Sequence, residues 1–148
     1  MTKSQIAADR ALEVWQHMQD ELVRVVGLLS DEQMNMRIAP KVRTLGEQAK
    51  HIVRGRALWV HKVVGDPSLL PFMSWDEPDD PPRSVAEVVA GLQHTWRIWR
   101  AYIEPSTIDD PAPVSEQEED GLRTVWGMLD HDLCHAGGAC PHAGRARP

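Results

Sequence analysis

Apolar residues recur every three or four positions in four separate stretches of the chain, which is the spacing of one face of an α-helix. These stretches cover residues 4–29, 44–64, 84–103 and about 120–136. None of them shows the alternation of apolar and polar residues that is typical of a half-buried strand. The pattern therefore predicts an all-α protein with four amphipathic helices.

Capping boxes mark the start of two of these helices. Thr44 is followed three residues later by Glu47, and Ser84 by Glu87. In this motif the hydroxyl accepts a hydrogen bond from the glutamate backbone N–H, and the carboxylate reaches back to the first residue. Pro40 excludes a continuous helix through residues 30–43, although Ser30 favours a short helical turn there.

The connection between the second and third helices, residues 66–83, is long and rich in proline and aspartate. A helix of 20 residues is about 30 Å long, and this connection is long enough to span it. The two helices can then run parallel, which predicts a four-helix bundle of up-down-down-up topology with a long crossover between helices 2 and 3. Phe72 and Trp75 are too apolar for a solvated linker, so we expect them to pack over one end of the bundle, with a lid over a pocket as the alternative.

The same topology brings three histidines to the same height along the bundle axis. His131 and His135 are four residues apart and share one face of the fourth helix. The second helix runs antiparallel to the fourth, so His51, near the start of the second, lies beside them. Imidazole nitrogen suits Zn, Ni, Cu or Fe, and three histidines leave a coordination position open, as in catalytic sites. His51 also lies beside the apolar stripe, where a buried core histidine is the alternative interpretation.

Composition narrows the classes of function. The formal net charge is −6, and no cluster of Lys and Arg precedes the last few residues, so nucleic acid is not an expected partner. No apolar run approaches the roughly 20 residues of a membrane span, and no signal-peptide core follows Met1, so we expect a cytoplasmic protein. The proline-, glycine- and arginine-rich residues 139–148 are expected to form a disordered tail.

Four segments together resemble a known family. They are LSDEQ at residues 29–33, AP at 39–40, TLGEQAKHI at 44–52 and LDHDLCHAG at 129–137. Their order and spacing resemble the DinB/YfiT-like metalloenzyme family, which includes bacillithiol and mycothiol S-transferases. The likeness spans about residues 5–138, and we expect one domain over 1–138. It departs from the family after His135, where Ala136 and two glycines stand in place of Arg-Gly-Gln.

The resemblance implies an up-down-down-up bundle that binds a divalent metal, Ni or Zn, through His51, His131 and His135. It also implies a small-molecule substrate, a low-molecular-weight thiol among the candidates, and a homodimer. The expected activity is that of a thiol S-transferase or hydrolase acting on a small electrophile. A non-catalytic, stress-associated bundle that binds a metal or small ligand is the alternative.

Several residues discriminate between these possibilities. A pocket lined by Trp96, Trp99 and Trp126 beside an open metal position favours the enzyme, although aromatic residues at helical spacing also form cores. Glu47, one turn before His51, is either a helix cap or a residue that orients His51 or acts as a base. Cys134 is either a thiolate near the metal or, as is more common for a free cysteine beside a helix end, an inert thiol. A separate zinc site from Cys134, Cys140 and His142 is a third option, but its spacing matches no common zinc motif.

Overall fold

The computed structural model describes residues 1–105, and every regular element among them is helical. Helix α1 covers Lys3–Gly27, the short α2 Asp31–Asn35, α3 Leu45–Val64 and α4 Val85–Ile103, with a 3-10 helix at Pro67–Phe72. The three predicted long helices of this part of the chain are thus confirmed. The predicted fourth helix, with His131 and His135, and the predicted tail lie outside the described residues.

Both predicted capping boxes are present. The Glu47 backbone N–H donates to Thr44 Oγ1 at 3.0 Å, and the Thr44 N–H donates to Glu47 Oε2 at 2.9 Å. Ser84 and Glu87 make the equivalent pair of bonds, at 3.1 and 2.9 Å. Ser30 caps α2 in the same way, with Gln33 in the place of the glutamate. Local side-chain chemistry therefore fixes where three of the helices begin.

The contacts between helices give their relative directions. One core cluster joins the end of α1 to the first halves of α3 and α4, and the other joins the middle of α1 to their second halves. The first contains Val26, Ala49, Val53, Val88 and Leu92, and the second Trp15, Ala57, Val60, Trp99 and Ile103. Helices α3 and α4 are therefore parallel, and α1 is antiparallel to both. This is the order of the first three helices of the predicted bundle, whose complete four-helix topology stays a prediction.

The crossover contributes a side chain to the core. Trp75 is 4% exposed and belongs to the cluster of Val53, Val88 and Leu92. It lies directly against Gly91, in the middle of α4. Our expectation that it packs over the end of the bundle was wrong, because the absence of a side chain at Gly91 leaves room for the indole beside the helix.

The interior also contains polar side chains, which helical periodicity of apolar residues alone would place toward solvent. On α1, the polar Gln19 is 3% exposed, whereas the apolar Val25 is 47% exposed. Gln19 Nε2 donates to the Leu92 carbonyl at 3.2 Å, and its Oε1 accepts from the buried Arg56 at 2.7 Å. The buried amide and guanidinium thus satisfy each other.

Among the helices of residues 1–105, none combines the length and apolar character that a membrane span needs.

Candidate metal centre

His51 lies in the second turn of α3, the helix that begins at the Thr44 cap. Its side chain is 34% exposed, whereas the adjacent Ile52 and Val53 are buried in the core. The ring therefore stands at the border between core and solvent. This partial exposure favours a metal ligand, which a small molecule can approach, over a buried core histidine.

An aspartate from the crossover contacts the ring. His51 Nδ1 lies 2.9 Å from Asp76 Oδ2, and the Asp76 side chain is 11% exposed. A carboxylate oxygen accepts hydrogen bonds, so Nδ1 of His51 is the donor in this contact. A neutral imidazole that carries its proton on Nδ1 binds a metal through Nε2. Carboxylates orient metal-binding histidines in this way, and such partners strengthen the ligand.

Arg43 binds the same carboxylate. One guanidinium nitrogen lies 2.9 Å from both Asp76 oxygens. Charge-assisted bonds of this kind are stronger than neutral ones and fix direction. Asp76 is therefore held between a cation and an imidazole, and the rotation of its carboxylate is restricted.

Glu47, by contrast, acts as the helix cap. Its carboxylate accepts from the Thr44 backbone and forms an ion pair with Arg37. The bond from Thr44, and then the guanidinium of Arg37, hold the pKa of Glu47 below its usual value despite partial burial. The carboxylate is thus ionised and committed to the start of α3.

Sequence analysis did not identify Asp76. The contact joins residues 25 positions apart, and no helical or strand periodicity relates them. The length and acidity of residues 66–83 marked the segment as unusual, but several aspartates there were equivalent in sequence. Only the path of the crossover distinguishes Asp76 from its neighbours.

The other two proposed ligands, His131 and His135, lie beyond residue 105. Within residues 1–105, no group of three or more His, Cys, Asp or Glu side chains is arranged to hold a metal ion. This part of the chain therefore supplies one imidazole, with its carboxylate partner already in place. Both residues fit a metal centre whose remaining ligands come from elsewhere.

Two of the three tryptophans considered for a pocket, Trp96 and Trp99, lie in the described part of the chain. Trp96 and Trp99 are 5% and 2% exposed and pack edge to face on Trp15, with centroid distances of 5.1 and 4.8 Å. They belong to the core, as the alternative interpretation held; Trp126 lies outside residues 1–105. An open cavity of about 450 Å³ is found near the far ends of α3 and α4, lined by Val64, Asp66, Arg97, Ile98, Ala101 and Tyr102.

Comparison with protein families identifies the family of the chain. A family model of the DinB superfamily matches residues 15–137, a span that contains His51, His131 and His135. No curated protein and no solved structure matches the chain significantly.

Proposed function

Because the chain belongs to the DinB superfamily, we propose that it is a metal-dependent enzyme whose ion, Ni²⁺ or Zn²⁺, is held by His51, His131 and His135. The proposal extends our sequence-based prediction of an open three-histidine site. The substrate we propose is a small electrophile, attacked by a low-molecular-weight thiol or by water.

The observation that carries the proposal is the hydrogen bond between His51 and Asp76. In this contact Nδ1 donates to the carboxylate, and a neutral imidazole with its proton on Nδ1 binds a cation through Nε2. A carboxylate partner on one ring nitrogen is typical of histidines that bind a metal through the other, and Arg43 holds this carboxylate in place. The pair of residues at 2.9 Å therefore supports His51 as a ligand.

Each residue has a distinct task in this account. His51 binds through Nε2, Asp76 keeps the imidazole in the correct tautomer, and Arg43 balances the charge of Asp76. Neutral histidine ligands leave the site with the full positive charge of the ion. Bound there, a divalent metal supplies Lewis acidity toward a thiol or water nucleophile.

A second candidate function is a non-catalytic bundle that binds a metal or a small ligand. The packing of Trp96 and Trp99 in the core favours it, because these side chains do not form a substrate pocket beside His51. A metal closed by a fourth protein ligand is expected for this alternative, and an exchangeable position for the enzyme.

The test is the metal content of the purified protein, measured by mass spectrometry after Ni²⁺ or Zn²⁺ is supplied. We expect about one equivalent of metal in the parent. His51→Ala and His131→Ala should each lose most of it, because each removes one of only three protein ligands. His17→Ala is the matched control, since His17 is exposed on α1, and should retain the metal. Absence of metal from the parent, or equal loss in the His17 variant, contradicts the proposal.

A further inference from the structure

Asp76 occupies an unusual backbone position. Its φ is +61°, and it is the one residue other than glycine with a positive φ in the described part of the chain. The left-handed region is unfavourable for residues with a Cβ, so this conformation persists only where surrounding contacts enforce it. The residue that contacts His51 is thus held in a conformation that its own backbone does not prefer.

The contact that enforces it comes from Asp80. The Asp76 backbone N–H donates to Asp80 Oδ2 at 3.1 Å, and the Asp80 N–H donates to the Glu77 carbonyl at 3.0 Å. These two bonds close residues 76–80 into a tight turn. The Asp80 side chain is 4% exposed, so the turn is fixed from its buried side.

Asp80 is in turn anchored to α3 and to the crossover itself. Lys50 Nζ lies 2.7 Å from Asp80 Oδ2 and also donates to the carbonyls of Asp80 and Pro81, at 3.3 and 3.2 Å. Arg83 donates to Asp80 Oδ1 at 2.6 Å, and its guanidinium lies over the Trp75 ring at 4.6 Å. Lys50 is 7% exposed, so this is a buried ion pair whose polar atoms are met by hydrogen bonds.

We infer that Asp80 is a positioning residue for the metal centre, acting on His51 through the left-handed turn that presents Asp76. The inference rests on the proposed metal-binding role of His51. Because Lys50 precedes His51 on α3, the ion pair joins the crossover to the helix one residue from the ligand. The rigid connection sets the distance between the Asp76 carboxylate and the imidazole, and hence the tautomer of His51.

If the Lys50–Asp80 ion pair only stabilised the fold, a different outcome would be expected. An ion pair that only holds the crossover in place changes the stability of the fold and leaves the imidazole as it is. A positioning role changes the protonated nitrogen of His51, even in protein that remains folded. The two accounts are separated by a measurement on the imidazole itself.

The experiment reads the His51 ring nitrogens by ¹⁵N NMR in metal-free protein, at one pH where the imidazole is neutral. The signal is assigned by its loss in His51→Ala. We expect the Nδ1–H tautomer in the parent and a mixture of tautomers in Asp80→Ala. The Kd for Zn²⁺, measured by calorimetry, should rise about 10- to 100-fold in Asp80→Ala, as for other losses of support around a metal ligand.

The control is Gln19→Ala, which removes a buried hydrogen-bonding side chain between α1 and α4. It should lower the unfolding temperature while leaving the His51 tautomer unchanged and the Kd within about twofold, since independent sites act additively. Should Asp80→Ala fail to fold, Arg83→Met replaces it. That change removes the bond to Asp80 Oδ1 from a side chain that is partly exposed, and it should shift the tautomer in the same direction.

Each outcome separates this inference from the proposed function. An unchanged tautomer in folded Asp80→Ala, or in Arg83→Met where the first variant does not fold, overturns the positioning role. An equal change in Gln19→Ala overturns it as well, because the effect is then one of general destabilisation. If the parent binds no metal and the tautomer still shifts in Asp80→Ala, Asp80 positions His51 but the proposed metal centre is contradicted.

Discussion

At the scale of single residues, the site depends on contacts that local sequence patterns do not encode. His51 was identified by its place after a helix cap, whereas its partner Asp76 reaches it across 25 residues. Lys50 and Arg56 face the interior although helical periodicity places charges outside. Each is buried because a specific acceptor meets it: the Asp80 carboxylate for Lys50, and the Gln19 side chain for Arg56.

Gly91 is a residue whose small size the fold requires. A Cβ at this position would lie 2.8 Å from Trp75 Cη2 and 3.2 Å from Val53 Cγ1. Gly91→Ala should therefore destabilise the protein by up to about 2 kcal/mol, because overpacking costs about 1–3 kcal/mol and the gain in helix propensity offsets only about 1 kcal/mol of it. Chemical denaturation followed by tryptophan fluorescence measures the change.

Gly55→Ala on α3 is the matched control. Apart from its chain neighbours and the backbone of its own helix, no described atom lies within 4 Å of a Cβ at this position. The same substitution should therefore leave stability unchanged or raise it by up to about 1 kcal/mol. If Gly91→Ala behaves like Gly55→Ala, Trp75 does not pack against α4 as described.

At the scale of the elements, the sequence was most informative where structure is local. The helix boundaries at Thr44 and Ser84 follow from hydroxyl and carboxylate groups three residues apart, and both were predicted correctly. The buried face of α4 is local in origin as well, since Val88, Leu92 and Trp96 recur at helical spacing and are all buried.

The crossover was the least predictable element. Its length and apolar residues indicated that it packs on the helices, but its path depends on a complementary gap at Gly91 and on the buried Lys50–Asp80 pair. Neither feature has a periodic signature. Because Asp76 is presented by this path, the support of the candidate site was unpredictable for the same physical reason.

At the scale of the whole molecule, membership of the DinB superfamily and the all-helical structure of residues 1–105 agree. The parallel arrangement of α3 and α4 puts the starts of both helices at the end where His51 lies. The three-histidine site requires the fourth helix to return His131 and His135 to that end. The three described long helices have the directions that such a return needs.

Several carboxyl groups link the stability of the whole fold to pH. The pKa values of Glu47 and Glu87 are lowered, first by the backbone hydrogen bonds of their capping boxes. Burial alone would raise the pKa of Asp80, but hydrogen bonds from Lys50 and Arg83 outweigh it and leave the pKa lowered. In each case the folded protein holds the carboxylate more readily ionised than the unfolded chain does.

The sign of the pH effect follows from these directions. A group with a lowered pKa contributes stability above its unfolded pKa of about 4, and loses it as the pH falls through the folded value. We therefore expect the free energy of unfolding to decrease from about pH 5 to about pH 3. Urea denaturation at a series of pH values measures this slope.

Glu87→Gln should make the decrease shallower, because it removes one of the contributing groups. Glu13→Gln, at an exposed position of α1, is the control and should keep the slope of the parent. Stability that stays constant or rises as the solution is acidified through this range contradicts the assignment of these carboxyls to stabilising contacts.

The central claim is that His51 is one of three imidazole ligands to a single divalent ion. The most direct measurement is X-ray absorption at the zinc edge of the Zn²⁺-loaded protein and of His51→Ala. We expect about three imidazole nitrogens at about 2.0–2.1 Å in the parent, and one fewer, or no bound zinc, in the variant. Sulfur at about 2.3 Å, as from a site built on Cys134 and Cys140, or a spectrum unaffected by His51→Ala, would contradict the account.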